Sequence, residues 1–258
     1  MQKTKIITTI LVIALSLISC QSKHEKETTR QIMENEECLI CGAPLEYLQA
    51  GDTMECEICH TRKYSTVRCT GGHYVCDACH TAGVDSVVAI CERETSKNPI
   101  EILEKLMRLP FCHMHGPEHH VLVGSALLTA YKNAGGEVDL HKGLIEMVRR
   151  GKQVPGGACG NWGACGAGIS AGMFVSIITG ATPMTKESWG LSNKMTSEAL
   201  DRISATGGPR CCKRDSYNAI LAAIDFVEAH FGIKMEKTDI RCSRSQNNNQ
   251  CLGSECPL

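Results

Sequence analysis

Seventeen cysteines and ten histidines in 258 residues constrain this chain more than any other feature of its sequence. At such a density cysteines hold a fold together, as disulfides in an oxidising compartment or as metal ligands in a reducing one. If Cys20 belongs to a leader, sixteen cysteines remain, and an even number suits both kinds of cross-link. The spacing of the cysteines therefore has to distinguish the two.

The N-terminal part contains two Cys-x-x-Cys pairs, Cys38–Cys41 and Cys56–Cys59, separated by 14 residues. Two residues between cysteines allow a tight turn to direct both thiolates at one ion, and two such turns complete a tetrahedron. This is the spacing of a zinc ribbon, and it predicts a four-cysteine zinc site. A pair of disulfides is the alternative.

A second set of metal-ligating residues follows directly. It consists of Cys69, His73, Cys76 and Cys79, with His60, His80 and Cys91 as spare candidates. Three cysteines and one histidine predict a second zinc ion. The two sites could bind sequentially or interleave as in cross-brace fingers, and the spacing leaves both open. Both sites can be filled by protein ligands alone, so we expect structural zinc in a module that folds on metal and docks a partner.

The first 20 residues resemble a bacterial lipoprotein signal. Lys3 and Lys5 precede an apolar run that ends in Leu-Ile-Ser-Cys at Cys20. The resemblance implies lipidation of Cys20, a tether over residues 21–35 and a membrane-anchored, extracytoplasmic protein. A plain secretory signal or a short anchor are alternatives, and translation from Met33 would leave the protein cytoplasmic.

The remaining sequence predicts a mainly α fold, in which a small Cys-rich zinc-ribbon module (36–92) precedes an all-α domain (98–235) and a Cys-containing tail (236–258). Six helical segments begin or end at Gly or Pro joints, among them Pro99, Pro117 and Gly151. The net charge is −1 and aromatic residues make up only 4%, which disfavours a nucleic-acid partner.

The segment HGPEHH marks a candidate active-site wall at a helix start. His115 and His119 stand four residues apart, where they could share one helix face and bind a metal, and Glu118 could act as a base. A polar helix start with ordinary hydrogen-bonding histidines is the alternative.

Two glycine-flanked cysteine segments, PGGACGNWGACGAG and GGPRCCKRD, predict a further metal site. Their cysteines, together with those of the tail, are Cys159, Cys165, Cys211, Cys212, Cys242, Cys251 and Cys256. Arg210 and Lys213 make the second segment cationic, which favours an anionic ligand or cluster. An iron–sulfur cluster such as [4Fe–4S], inserted between helices, fits dispersed cysteines. Redox disulfides and inert packing are alternatives, whereas no Lys-Ser/Thr follows the glycines as a phosphate loop requires.

The motifs MHGPEHH, VPGGACGNWGACGAG, GGPRCCKR and the tail Cys-x4-Cys-Pro, preceded by GHYVCDACH, resemble a prokaryotic family of unknown function, domain of unknown function 5714. The resemblance covers residues 36 to 258 and implies little about activity. Members are sometimes labelled SAM-dependent methyltransferases, but the chain has no glycine-rich strand–turn–helix start for that cofactor. The lipoprotein-like leader departs from the family's usual form.

A partial resemblance links GACGAGISAGMFVSIITGATP and CCKRDSYNAILAAIDF to iron–sulfur L-serine dehydratases. It implies that Cys165 and Cys212 are cluster ligands and that a tail cysteine completes the set. The middle ligand motif of the dehydratases has no match here.

The leading functional hypothesis is a metal-dependent, lyase- or dehydratase-like enzyme that acts on a small anionic substrate. Arg210 and Lys213 would hold the anion, and His115 or His119 would move protons. A non-enzymatic zinc-binding partner of a redox or methyl-transfer system is the second hypothesis, and a SAM-dependent methyltransferase the third.

Overall fold

The computed structural model describes residues 38–41 and 43–258, so the predicted leader, Cys20 and the tether lie outside the described residues. The chain divides into two compact units between Val75 and Cys76. In the described ranges, none of the helices combines the length and the hydrophobicity needed to cross a lipid bilayer.

The first unit is built on an antiparallel hairpin of β1 (Leu45–Glu55) and β2 (Arg62–Cys69). The register shifts between Tyr47 and Asp52. Among the described residues of this unit, the buried side chains are those of Cys38, Cys56 and Cys69. A hairpin without a buried apolar core offsets little of its own ordering entropy, and a metal ion held by its cysteines would stabilise this unit.

The second unit is helical, which confirms the predicted mainly α fold. Its described helices are α1 (Asp77–His80), α2 (Ser86–Glu92), α3 (Pro99–Met107), α4 (His119–Asn133), α5 (Leu140–Gly151), α6 (Ala158–Asn161), α7 (Gly166–Thr179), α8 (Glu187–Ser204) and α9 (Cys212–Phe231). The six longer helices from α3 onward are the six predicted segments. Helices α1, α2 and α6 were not predicted, because helices of one or two turns carry little periodicity.

Helix α4 lies at the centre of this unit and contacts α2, α3, α5, α7 and α9. Nearly all its side chains are buried, so it shows no polar face. The glycine face of α7, expected to accept a helix or a cofactor, accepts α8. A Cβ on Gly168 would lie 2.8 Å from Leu200, and one on Gly172 would collide with Thr196.

Local signals set the helix ends that surround the site. The Asn98 side chain accepts the N–H of Ile100 (3.0 Å) at the start of α3, with Pro99 in the first turn. Gly180 and Gly232 end α7 and α9 in the left-handed conformation. After α9 the chain is irregular apart from the 3-10 turns Ser245–Asn247 and Gly253–Glu255.

Candidate metal and thiol sites

The first candidate metal centre joins Cys38 and Cys41 to Cys69 and His73, whose ligand atoms all lie within 4.8 Å of one another. The Sγ atoms of Cys41 and Cys69 are 3.5 Å apart, and Nδ1 of His73 lies 3.2 Å from Cys41 Sγ and 3.9 Å from Cys38 Sγ. Tetrahedral zinc with Zn–S bonds of about 2.3 Å requires ligand separations of about 3.5–3.8 Å. The donor set and its dimensions fit a zinc ion.

Backbone amides support the sulfurs of this centre. The N–H of Ile40 donates to Cys38 Sγ (3.4 Å), and that of Gly71 donates to Cys69 Sγ (3.1 Å). Burial alone would raise the pKa of the Cys69 thiol. The hydrogen bonds from Gly71, Cys41 and His73 outweigh it and lower that pKa to about 6, which favours the thiolate that a metal needs.

Cys56 and Cys59 lie beside the turn of the hairpin in the first unit, and Cys76 and Cys79 lie at the start of the second unit. Cys38 and Cys41 thus share their site with Cys69 and His73, so the ligand pairs of this site are not consecutive along the chain. The sequential assignment, with Cys56 and Cys59 completing the first site and Cys69 and His73 opening the second, is wrong. The hairpin explains the difference, because pairing Leu45 with Cys69 carries Cys69 back to the Cys38–Cys41 turn.

A third group of ligand atoms surrounds the carboxylate of Glu118, which is fully buried. The backbone N–H of His113 donates to Oε1 of Glu118 (2.8 Å), and Nδ1 of His80 lies 3.3 Å from Oε2 of Glu118. Burial would raise the pKa of Glu118, but His113 and His80 outweigh it and hold that pKa far below its usual range. Nδ1 of both histidines and Oε2 of Glu118 have no hydrogen-bond partner, so this group could hold a metal ion.

His80 was only a spare candidate in the sequence, and it lies beside Glu118 rather than in a zinc cluster. Of the other spares, His60 pairs with Glu55 on the exposed hairpin (3.3 Å) and Cys91 is buried in the helical core. The approach of His80 depends on Gly116, where a Cβ would collide with both His80 and Glu118.

Lys213 and His119 meet at the thiol of Cys112. The buried Lys213 ammonium donates to Cys112 Sγ (3.0 Å), and Nε2 of His119 lies 3.7 Å from the same sulfur. Nδ1 of His119 donates to the carbonyl of Gly116 (3.0 Å), which leaves Nε2 as the acceptor nitrogen. Burial and the charge of Lys213 lower the pKa of His119 to about 3, so this imidazole is neutral at neutral pH.

Cys159, Cys165 and Cys212 line one cavity of about 450 Å³, its open mouth included, which we call the thiol cavity. Cys159 lies in α6, Cys165 precedes α7 and Cys212 begins α9. The start of α4 closes the opposite wall with Pro117, His119 and His120, and Arg210 and Asp215 complete it. Helix starts from four elements therefore converge on the three thiols.

The three thiols of the thiol cavity are neutral unless positive charge enters it. Burial raises the pKa values of the thiols of Cys159, Cys165 and Cys212, and Arg210 partly opposes this at Cys212. Three buried thiolates would need positive charge, which a metal centre could supply. Among the described residues these three sulfurs do not form a set within 4.8 Å, unlike the ligand atoms of the first candidate centre, so they do not match the ligand set of a single ion.

The structure separates residues that the sequence placed together. Arg210 and His119 line the thiol cavity, whereas Lys213 faces Cys112 and Glu118 faces His80. His115 binds Oδ1 of Asn248 with its Nε2 (3.2 Å). Cys211 and the tail cysteines Cys242, Cys251 and Cys256 line a different cavity.

Two wall residues of the thiol cavity were missed. His120 donates from Nδ1 to the carbonyl of Val154 (3.0 Å), and burial lowers its pKa. Asp215 is buried, pairs with Arg214 (3.2 Å) and lies 3.8 Å from Cys165 Sγ. The sequence held only weak signals for these two residues: His120 directly follows His119, and Asp215 lies one turn into α9.

Comparison with known proteins supports one relationship. A model of a family of unknown function, DUF5714, matches residues 87–258, two-thirds of the chain. No curated protein and no solved structure matches it.

Proposed function

The chain belongs to DUF5714, a family of unknown function, and from that premise we propose that it is an iron–sulfur enzyme acting on a small anionic substrate in the thiol cavity. Residues 38 to 79 carry two clusters that could hold metal ions, and we propose zinc for both.

One observation carries the proposal: three thiols, a guanidinium and two histidines meet at one open cavity. Cys159, Cys165 and Cys212 would hold the cluster, and Arg210 and Asp215 line the same cavity. A cluster bound there by three thiolates would supply Lewis-acid chemistry.

The residues around the cavity provide the other requirements of such a reaction. Arg210 offers a charged donor for a substrate carboxylate, since guanidinium and carboxylate match in geometry. His119 and His120 both donate from Nδ1 to backbone carbonyls, which leaves Nε2 as the acceptor nitrogen of each. Burial lowers the pKa of both imidazoles, so both are neutral at neutral pH and each can accept a hydrogen bond at Nε2.

Lys213 is better placed for a supporting role than for the substrate contact first expected. Its ammonium donates to Cys112 Sγ, and that sulfur lies beside Nε2 of His119. In this arrangement Lys213 and Cys112 orient the imidazole, while Arg210 holds the substrate anion.

The experiment is metal and sulfide analysis of protein purified without oxygen, together with its visible absorbance. We expect two zinc ions and at least about four iron and four sulfide per chain, with iron–sulfide charge-transfer absorbance. Cys159→Ser/Cys165→Ser should lose the iron of the thiol cavity. Cys91→Ala is the matched control, because Cys91 is buried in the core, away from both cavities. Protein that binds zinc but no iron would contradict the proposal.

Substrate binding is tested with L-serine and L-malate, two small hydroxy compounds that carry a carboxylate. We expect one of them to change the electron paramagnetic resonance spectrum of the reduced cluster and to undergo loss of water. Arg210→Gln should weaken binding of that probe at least about tenfold while retaining iron. Equal binding by Arg210→Gln would remove Arg210 from the substrate site.

A further inference from the structure

The C-terminal tail carries three cysteines that the proposed active site does not use. Cys242, Cys251 and Cys256 join Cys211 in lining a second cavity of about 340 Å³, its mouth included, which we call the tail cavity. None of the sixteen described cysteines forms a disulfide. Four of the eleven residues that line this cavity are therefore unbridged cysteines, a density that packing alone does not require.

The two cavities are distinct although Cys211 and Cys212 are adjacent in the chain. Cys211 occupies the N-cap position of α9 and faces the tail cavity, whereas Cys212 is the first helical residue and faces the thiol cavity. The two cavities share no lining residue. One cluster bound by thiolates from both sets would have to occupy both places at once.

Hydrogen bonds organise the tail around these sulfurs. The Asn248 amide donates to Cys211 Sγ (3.6 Å) and its oxygen accepts the N–H of Gln250 (3.0 Å). The N–H of Gly253 donates to Cys251 Sγ (3.4 Å). Amides directed at cysteine sulfur stabilise thiolates, as they do in the zinc turns of the first unit.

Spacing indicates which ligand the tail cavity fits. Among the described residues its four sulfurs contribute no three-membered set within 4.8 Å, whereas the first candidate zinc centre does, so they do not match the ligand set of a single ion. A four-iron cluster takes one thiolate on each iron and accommodates four such thiols. Arg214 and Arg244 line the same cavity, and each is held by a carboxylate, Asp215 (3.2 Å) and Glu104 (3.2 Å).

We propose that Cys211, Cys242, Cys251 and Cys256 hold an iron–sulfur cluster of the [4Fe–4S] class, separate from the thiol cavity. Because all four irons receive protein ligands, this cluster binds no substrate. It fixes the irregular tail to the start of α9, beside the Arg244–Glu104 ion pair (3.2 Å). The assignment does not depend on the proposed enzymatic function.

Iron and sulfide counts on anaerobically purified, reconstituted full-length chain test the assignment. With both cavities loaded we expect about eight iron and eight sulfide per chain. Cys242→Ser/Cys251→Ser should keep about four iron, those of the thiol cavity. Cys159→Ser/Cys165→Ser should keep about four iron, those of the tail cavity. Cys91→Ala should keep all eight. Cys256→Ser, at a position outside the α-helices, repeats the tail test without touching any of them.

Limited trypsin digestion provides an independent readout. Loss of the tail cluster should speed cleavage after the exposed Arg241, whereas loss of the thiol-cavity cluster should not. Unchanged iron in both tail variants would overturn the proposal, as would a third zinc ion in place of the iron. If Cys242→Ser/Cys251→Ser and Cys159→Ser/Cys165→Ser each lose all iron while circular dichroism shows folded helices, the chain holds a single shared cluster and the proposal is wrong. Absence of iron from the thiol cavity alone would contradict only the proposed function.

Discussion

At the residue scale, Glu118 is the most constrained charge in the molecule's described part. Its carboxylate is fully buried and faces His80 and His113, yet Oε2 accepts no hydrogen bond. The buried negative charge is stable because these histidines and the N–H of His113 surround it. Removing the charge leaves its partners buried and unpaired, which costs more than an exposed ion pair is worth.

We predict that Glu118→Gln lowers the free energy of unfolding by about 2–4 kcal/mol at neutral pH, as measured by urea denaturation. Folding lowers the pKa of Glu118, so its contribution is complete above the unfolded value of about 4.3 and is lost as the pH falls below it. The difference between the wild type and the variant should therefore narrow in acid. Glu146→Gln on α5 removes partly exposed ion pairs with Arg149 and Arg150 and should cost less than about 1 kcal/mol. Equal losses of unfolding free energy in both variants would contradict this explanation. So would a difference between the wild type and Glu118→Gln that grows as the pH falls.

At the element scale, close contact between helix starts builds the thiol cavity. Helix α7 begins at Gly166 against the ring of His120 at the start of α4. A Cβ at Gly166 would collide with Cδ2 and Nε2 of that ring. The cavity wall therefore depends on a residue that has no side chain.

We predict that Gly166→Ala destabilises the protein by about 1–3 kcal/mol, because the added methyl overpacks the α4–α7 contact. Gly160→Ala in α6 is the control, since a Cβ there meets nothing within 4 Å. Thermal unfolding followed by circular dichroism measures both. A melting temperature of Gly166→Ala equal to that of Gly160→Ala would show that His120 moves aside without cost.

At the scale of the whole molecule, zinc counting distinguishes the interleaved from the sequential assignment. The structure places Cys38 and Cys69 in one cluster and leaves Cys56 outside it. We predict that Cys38→Ser/Cys69→Ser keeps about one zinc ion per chain, whereas Cys38→Ser/Cys56→Ser keeps none. Mass spectrometry under native conditions gives the count. If the sites were sequential, Cys38→Ser/Cys56→Ser would keep about one zinc ion and Cys38→Ser/Cys69→Ser would keep none.

The long helices of the molecule were predictable from the sequence, whereas the grouping of side chains into sites was not. The six long helices were predictable because Pro99, Gly151 and similar joints bound apolar runs. The cysteines and the histidine of the candidate zinc sites could be singled out from the sequence, but their grouping could not, because two-residue spacings permit either order. The meeting of His80 with Glu118 depends on a tertiary contact across 38 residues and has no local signal. Likewise, adjacent cysteines give no indication of which cavity each one faces.

The Cys211–Cys212 peptide has a consequence for how such a chain can change over generations. Neighbouring side chains at a helix start diverge by about 100°, and here that divergence directs one thiol into each cavity. Inserting or deleting a single residue near this point would rotate both thiols out of place together. A mutation at the start of α9 therefore affects the lining of both cavities, and neither lining can change there without changing the other.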